Sequence, residues 1–138
     1  MKESVNLQWL NNMSFETEVN GHKIYLDAST ENGGKNLGPR PKLLMLVALG
    51  GCTGMDVVSI LRKMRVEFEN LNIIVDGDLV DEHPKKFNKM KIIYQFKGKN
   101  LPLDKIQKAV ELSQEKYCGV SSNLRDSMIV EYEIKTIE

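Results

Sequence analysis

Apolar and polar residues alternate with a period of two at the start of the chain. Val5, Leu7 and Trp9 are interleaved with Asn6 and Gln8, the pattern of a strand with one covered face. Phe15 to Val19 and Ile24 to Asp27 flank Asn20-Gly21, whose tolerance of positive φ predicts a tight hairpin. Ala28 to Pro39 is polar and carries Gly33, Gly34 and Gly38, so it reads as a loop long enough to serve as a functional flap. Later, Asn72 to Asp81 predicts a strand, Asp81 to Pro84 a turn, and Lys89 to Lys97 a further strand. Met90, Ile92, Tyr94 and Phe96 fall on one side of that strand and lysines and Gln95 on the other. A helix opens at Pro102 and runs to about Tyr117, with Ile106, Ala109, Val110 and Ser113 as its buried stripe. Cys118-Gly119 interrupts it, Ser121 to Asp126 permits a short further turn of helix, and Met128 to Ile137 closes the chain as a strand. The predicted order is βββ-α-ββ-α-β, an α+β fold in a single domain over residues 1–138.

The segment between these two sets of strands breaks the pattern. From Leu43 to Leu61 the only charge is Asp56, with Lys42 before and Arg62-Lys63 after. Its length matches a membrane span. Three glycines (Gly50, Gly51 and Gly54), a carboxylate and the strand-rich flanks argue instead for a helix buried at the centre of a water-soluble protein, with no membrane partner. A domain this small has difficulty covering such a helix alone, so a homodimer with the helix between its subunits is expected.

Charge changes the picture by exclusion. Nineteen Lys and Arg balance nineteen Asp and Glu, hydrophobic residues make up 41% and charged residues 28%. This is globular and neutral, neither disordered nor broadly basic. The lysines at 85, 86, 89, 91, 97 and 99 read as the solvated outer face of an exposed hairpin that discourages edge pairing. They lack the aromatic or glycine pattern of a nucleic-acid surface, so no nucleic-acid partner is expected. His22 and His83 sit in turns without a ligand or nucleophile nearby. With Cys52 and Cys118 they are too scattered for a zinc ribbon or finger, and neither a nucleophile elbow nor a phosphate loop is present. Met1 to Trp9 lack the succession of a signal peptide, so a reducing cytoplasm is the default, where both cysteines persist as thiols unless they do redox work.

The cysteines are the remaining reactive groups. Free cysteine is often merely buried. Three features favour chemistry here: small residues at 50, 51 and 54 that leave room around Cys52, Asp56 on the same helix face four residues on, and Cys118 near the start of a helical turn, where backbone N–H groups favour thiolate.

The run PRPKLLMLVALGGCTGMDVVSILRK from Pro39, followed by LSQEKYCGVSSNL with its cysteine 66 residues after the first, resembles the OsmC/Ohr superfamily of thiol-dependent hydroperoxide reductases, nearest its YhfA-like branch. The likeness covers almost the whole chain. It implies an intertwined homodimer with long central helices and an active site at each interface. It also implies Cys52 as the thiolate that attacks an organic hydroperoxide, Cys118 as the resolving thiol, and an external dithiol as reductant. No metal or other cofactor is implied. Arg40, Asp56 and Glu115 stand as candidates for supporting the site or stabilising the thiolate.

Catalytic relatives usually carry a glutamate nine or ten residues before the first cysteine, where this chain has Leu43 and Lys42, and the Ohr branch an N-terminal arginine, whereas the first arginine here is Arg40. Nine helical residues span roughly 14 Å, so that glutamate acts across the dimer or through a bend. The same reach would let Arg40 or Lys42 approach the partner subunit's Cys52, and a cation there is expected to favour thiolate. Two other readings stay open: a dimer that holds a small apolar ligand in an interface pocket lined by Leu43 to Met55, and a structural protein with inert cysteines.

Overall fold

A computed structural model describes residues 1–138, which divide into two compact units, Met1–Met45 and Leu46–Glu138. The first is an antiparallel meander of β1 (Leu7–Asn11), β2 (Ser14–Val19) and β3 (His22–Leu26). Asn20 and Gly21 both take positive φ, 52° and 82°, and Val19 pairs with His22, so the hairpin forms where its turn chemistry placed it. The glycine-rich segment after β3 is tied down. The Asp27 side chain is buried and accepts the backbone N–H groups of Ala28 (2.7 Å), Lys35 (3.1 Å) and Leu37 (3.1 Å). These bonds, the one from Leu37 foremost, hold the Asp27 carboxyl below its ordinary pKa.

The second unit owns the apolar core. Its sheet runs β4 (Asn70–Leu79), β5 (Phe87–Lys97), β6 (Ile129–Ile137), with β4 antiparallel and β6 parallel to the central β5. A parallel pair needs a crossover. Here it consists of α2 (Leu103–Leu112), a π-helical turn (Ser113–Tyr117) and α3 (Gly119–Arg125). The alternation read in β5 is realised: Met90, Ile92, Tyr94 and Phe96 are all fully buried. Because β5 is paired on both sides, its lysines do not guard an edge. Lys89 and Lys91 meet Glu131 (2.9 Å) and Glu133 (3.3 Å) on β6.

Helix α1 (Leu43–Lys63) is long and apolar enough, by length and composition, to cross a membrane. It buries one stripe against this core: Leu49, Thr53, Val57 and Leu61, at four-residue spacing. Each buried aliphatic side chain contributes roughly 1.5–3 kcal/mol. The rest of the helix is not hidden within the chain, and Val47 and Met55 stand 65% and 77% exposed. The glycines do not all leave open space, as their size suggested. A Cβ on Gly54 would meet Ile73 Cδ1 at 2.9 Å and one on Gly50 would meet Val75 Cγ2 at 3.1 Å. Those two glycines let β4 approach the helix, and only Gly51 faces open space.

Candidate active site: two thiols and a carboxylate

Cys52 and Asp56 lie one turn apart on α1, next to the buried stripe, and both are half-buried. Cys118 reaches the same place from the crossover. After Leu112 the helix widens by one residue, so that the Cys118 N–H bonds the Ser113 carbonyl at 2.7 Å, five residues back. The wider turn points two consecutive side chains, Ser113 and Gln114, inward. Cys118 then leaves helical geometry (φ −76°, ψ 100°) and becomes the N-cap of α3, its sulfur accepting the Ser121 N–H at 3.4 Å. As a result Cys52 Sγ, Cys118 Sγ and an Asp56 carboxylate oxygen lie within 4.8 Å of one another, and both cysteines are free thiols.

Beneath this trio runs a network of buried hydroxyls that fixes the carboxylate. The Ser113 hydroxyl donates to Asp56 Oδ2 at 3.0 Å. Its single proton being used, it accepts from Thr53 Oγ1 at 2.7 Å, and Thr53 in turn accepts from the Tyr94 hydroxyl at 2.6 Å. Gln114 Nε2 donates to both Thr53 (3.0 Å) and Tyr94 (3.2 Å), and Ser121 Oγ donates to Gln114 Oε1 at 2.7 Å. Arg125 caps the Gln114 carbonyl. No buried side-chain polar atom lacks a partner. The order of donors aims every O–H from Tyr94 through Thr53 and Ser113 toward Asp56, a rigid scaffold of the kind that holds a reacting group in place. Burial pushes the Tyr94 hydroxyl up to about 12, so it remains a donor at neutral pH.

Burial also pushes the Cys118 thiol up to about 11; the Ser121 N–H pulls the other way, while the neighbouring Cys52 and Asp56 add to the rise. Cys118 thus sits at a helix start, as the sequence suggested, but desolvation outweighs the favourable N–H and the thiol keeps its proton near neutrality. The two cysteines are physically unequal: Cys118 is 3% exposed, Cys52 is half-open. A cleft of 370 Å³ beside Asp56 is lined by Ser59, Ile60, Lys63, Met64, Leu112 and Tyr117, largely apolar side chains.

The other candidates stand elsewhere. Glu115 is exposed on the π turn, outside the trio. Arg40 belongs to the N-terminal unit, where its guanidinium donates to Asn36 Oδ1 (2.8 Å) and the Gly38 carbonyl (3.0 Å). His22 and His83 are both exposed. Of the residues that hold the site together, Thr53 and Gln114 were not singled out by the sequence, Tyr94 and Ser113 entered only as members of an apolar face, and Ser121 only as the start of a short helical turn. The available signal was a run of small polar residues on helix faces otherwise destined for the core.

An α+β scaffold with two thiols and an oriented carboxylate meeting over a satisfied polar network defines a small dithiol protein. The chain belongs to the OsmC-like family, within the OsmC/Ohr superfamily: the family model described as OsmC-like protein matches residues 33–133. It is 30% identical over 132 residues to Protein YhfA of Escherichia coli strain K12, covering 95% of this chain and 96% of that one. A solved hypothetical protein from Aquifex aeolicus VF5 superposes with a TM-score of 0.83 at 30% identity, over 100% and 99% of the two chains. An organic hydroperoxide resistance protein OsmC from Legionella pneumophila, described as a predicted redox protein, shares the fold with a TM-score of 0.67 at 15% identity, over 96% and 97%.

Proposed function

We propose that this protein is a cytoplasmic homodimer, each chain a single OsmC-like domain over residues 1–138, that reduces organic hydroperoxides with Cys52 and Cys118. The observation that carries this reading is the meeting of two free thiols and an oriented carboxylate within 4.8 Å. The accessible thiol is the attacking group. Cys52 thiolate attacks the distal peroxide oxygen, an S–O bond forms as the O–O bond breaks, and the displaced alkoxide takes a proton to leave as an alcohol, with Cys52 left as a sulfenic acid. The Cys118 sulfur then attacks the Cys52 sulfur. Its proton leaves with the departing hydroxide as water, and a disulfide remains. An external dithiol returns both thiols by two exchanges and is itself oxidised.

The inequality of the thiols supports this division of labour, because a resolving thiol that stays protonated does not compete for the peroxide. The apolar cleft beside Asp56 suits the alkyl part of an organic substrate. The Legionella relative's description as a hydroperoxide resistance protein agrees with the same chemistry. Arg40 takes the role of the missing glutamate–arginine pair by approaching the partner subunit's Cys52. Replacing it should slow the peroxide step, and Arg40→Ala with unchanged Cys52 reactivity would remove it from the mechanism. The whole reading is tested by consumption of cumene hydroperoxide with excess dithiol. Wild type should turn over and Cys52→Ser should be inactive, whereas equal rates, or no consumption by wild type, would leave a non-catalytic apolar-ligand protein as the better account.

A further inference from the structure

We propose that the reduced site is also a binding site for a thiophilic divalent cation of the zinc class, with Cys52 Sγ, Cys118 Sγ and an Asp56 carboxylate oxygen as its three protein ligands. The inference is independent of the peroxidase reading, since it asks only for free thiols and a carboxylate. Zinc–sulfur bonds of about 2.3 Å and zinc–oxygen bonds of about 2.0–2.2 Å set tetrahedral ligand atoms roughly 3.5–4 Å apart. Three donors already within 4.8 Å of one another need little movement to close on such an ion. Two sulfurs select zinc or cadmium over magnesium or calcium, which take oxygen donors.

The surroundings fit as well as the donors. Asp56 Oδ2 accepts the Ser113 hydroxyl, which leaves its other oxygen for the ion and fixes the carboxylate from behind, as outer partners of metal ligands do. The half-exposure of Cys52 and Asp56 gives an entry path, and the fourth position falls to water, since no fourth protein donor joins the group. Sequence reasoning excluded zinc ribbons and fingers, whose ligands come in close pairs. These donors come from 52, 56 and 118, which only the fold assembles. Binding is a proton-for-metal exchange: the dication displaces one proton from each thiol and leaves a neutral bis-thiolate whose carboxylate adds one negative charge. A metal-held sulfur pair is unavailable to an oxidant, so ion binding and disulfide formation are competing fates of the same thiols.

The test is a cadmium titration of the reduced, chelator-stripped full chain, followed by the ultraviolet thiolate-to-cadmium charge-transfer band. One equivalent per chain should saturate the band. Cys52→Ser and Cys118→Ser should each lose at least half of its intensity, and protein oxidised to the disulfide should give none. Asp56→Asn, which keeps an acceptor for Ser113, should retain the band with affinity about tenfold or more weaker. As a readout that needs no variant, one equivalent of zinc should protect both wild-type thiols from alkylation. A band that does not saturate at one equivalent, unaltered affinity in Asp56→Asn, or undiminished alkylation under zinc would each overturn the site.

Discussion

Trp9, Phe15 and Tyr25 in the first sheet stand 57%, 39% and 39% exposed, while Tyr94 and Phe96 in the second sheet have no exposed surface. The contrast runs through both units. The N-terminal unit buries only polar side chains, Ser14 and Asp27, and displays Leu7, Leu10 and Met13, whereas every buried apolar residue of the chain lies between Leu49 and Cys118. One sequence thus holds a region built around an apolar core and a region held by strand pairing and, after β3, by backbone hydrogen bonds to a single carboxylate. A three-stranded sheet with its apolar side chains outward is a surface that asks for cover. The same is true of α1, with Val47 and Met55 open. The trio of Cys52, Asp56 and Cys118 belongs to the region with the core, where a dense interior can hold three polar groups in place.

Substitutions separate the two regions by the size of their effects. The largest belongs to the core: Phe96→Ala should cost about 3–5 kcal/mol in urea unfolding, because the emptied space cannot fully collapse. A cost below 1 kcal/mol would break the distinction. Next comes the polar scaffold. Thr53→Val keeps the shape but removes a partner from Ser113, Tyr94 and Gln114, so about 1–3 kcal/mol should be lost. Trp9→Ala should leave unfolding of the core region almost unchanged and instead shift sedimentation of the proposed dimer toward monomer, since the Trp9 side chain is 57% exposed and lies outside the apolar core.

The smallest expected effects are ones of pH. The Asp27 carboxyl is held low, so the stability it gives its loop is present above its unfolded pKa of about 3.9 and is lost as pH falls through the lower folded value. Amide exchange at Lys35 and Leu37 should accelerate on that acid side in wild type, and should already be fast near neutrality in Asp27→Asn. Cys118 has the opposite sense. Its raised thiol favours the fold below the unfolded pKa of about 8.5, and this advantage fades as pH rises through about 11. In Cys52→Ser protein, alkylation of Cys118 should keep rising well above pH 8.5, because burial, the largest cause, persists.

The legible parts of the fold were those set by local rules. Asn20-Gly21 specified its hairpin through backbone φ alone, and the strict alternation from Met90 to Phe96 specified a buried face through the pleat. The meeting of Cys52 with Cys118 is a contact across 66 residues, and no local pattern encodes it; only the family resemblance pointed there. The π turn was hidden because an α-helix and one widened by a residue differ by a single hydrogen bond, yet that residue turns Ser113 and Gln114 inward together. Gly50 and Gly54 read as open room around Cys52 because sequence shows that a side chain is missing, not what fills the gap. Here Ile73 and Val75 fill it.

The central claim, that the two thiols of one chain are the working pair, is tested most directly by peptide mapping after one equivalent of cumene hydroperoxide is added to reduced protein. The account predicts the loss of two thiols per chain and a Cys52–Cys118 disulfide within a single chain. Intact thiols, or Cys52 oxidised to sulfinic acid while Cys118 stays free, would contradict it.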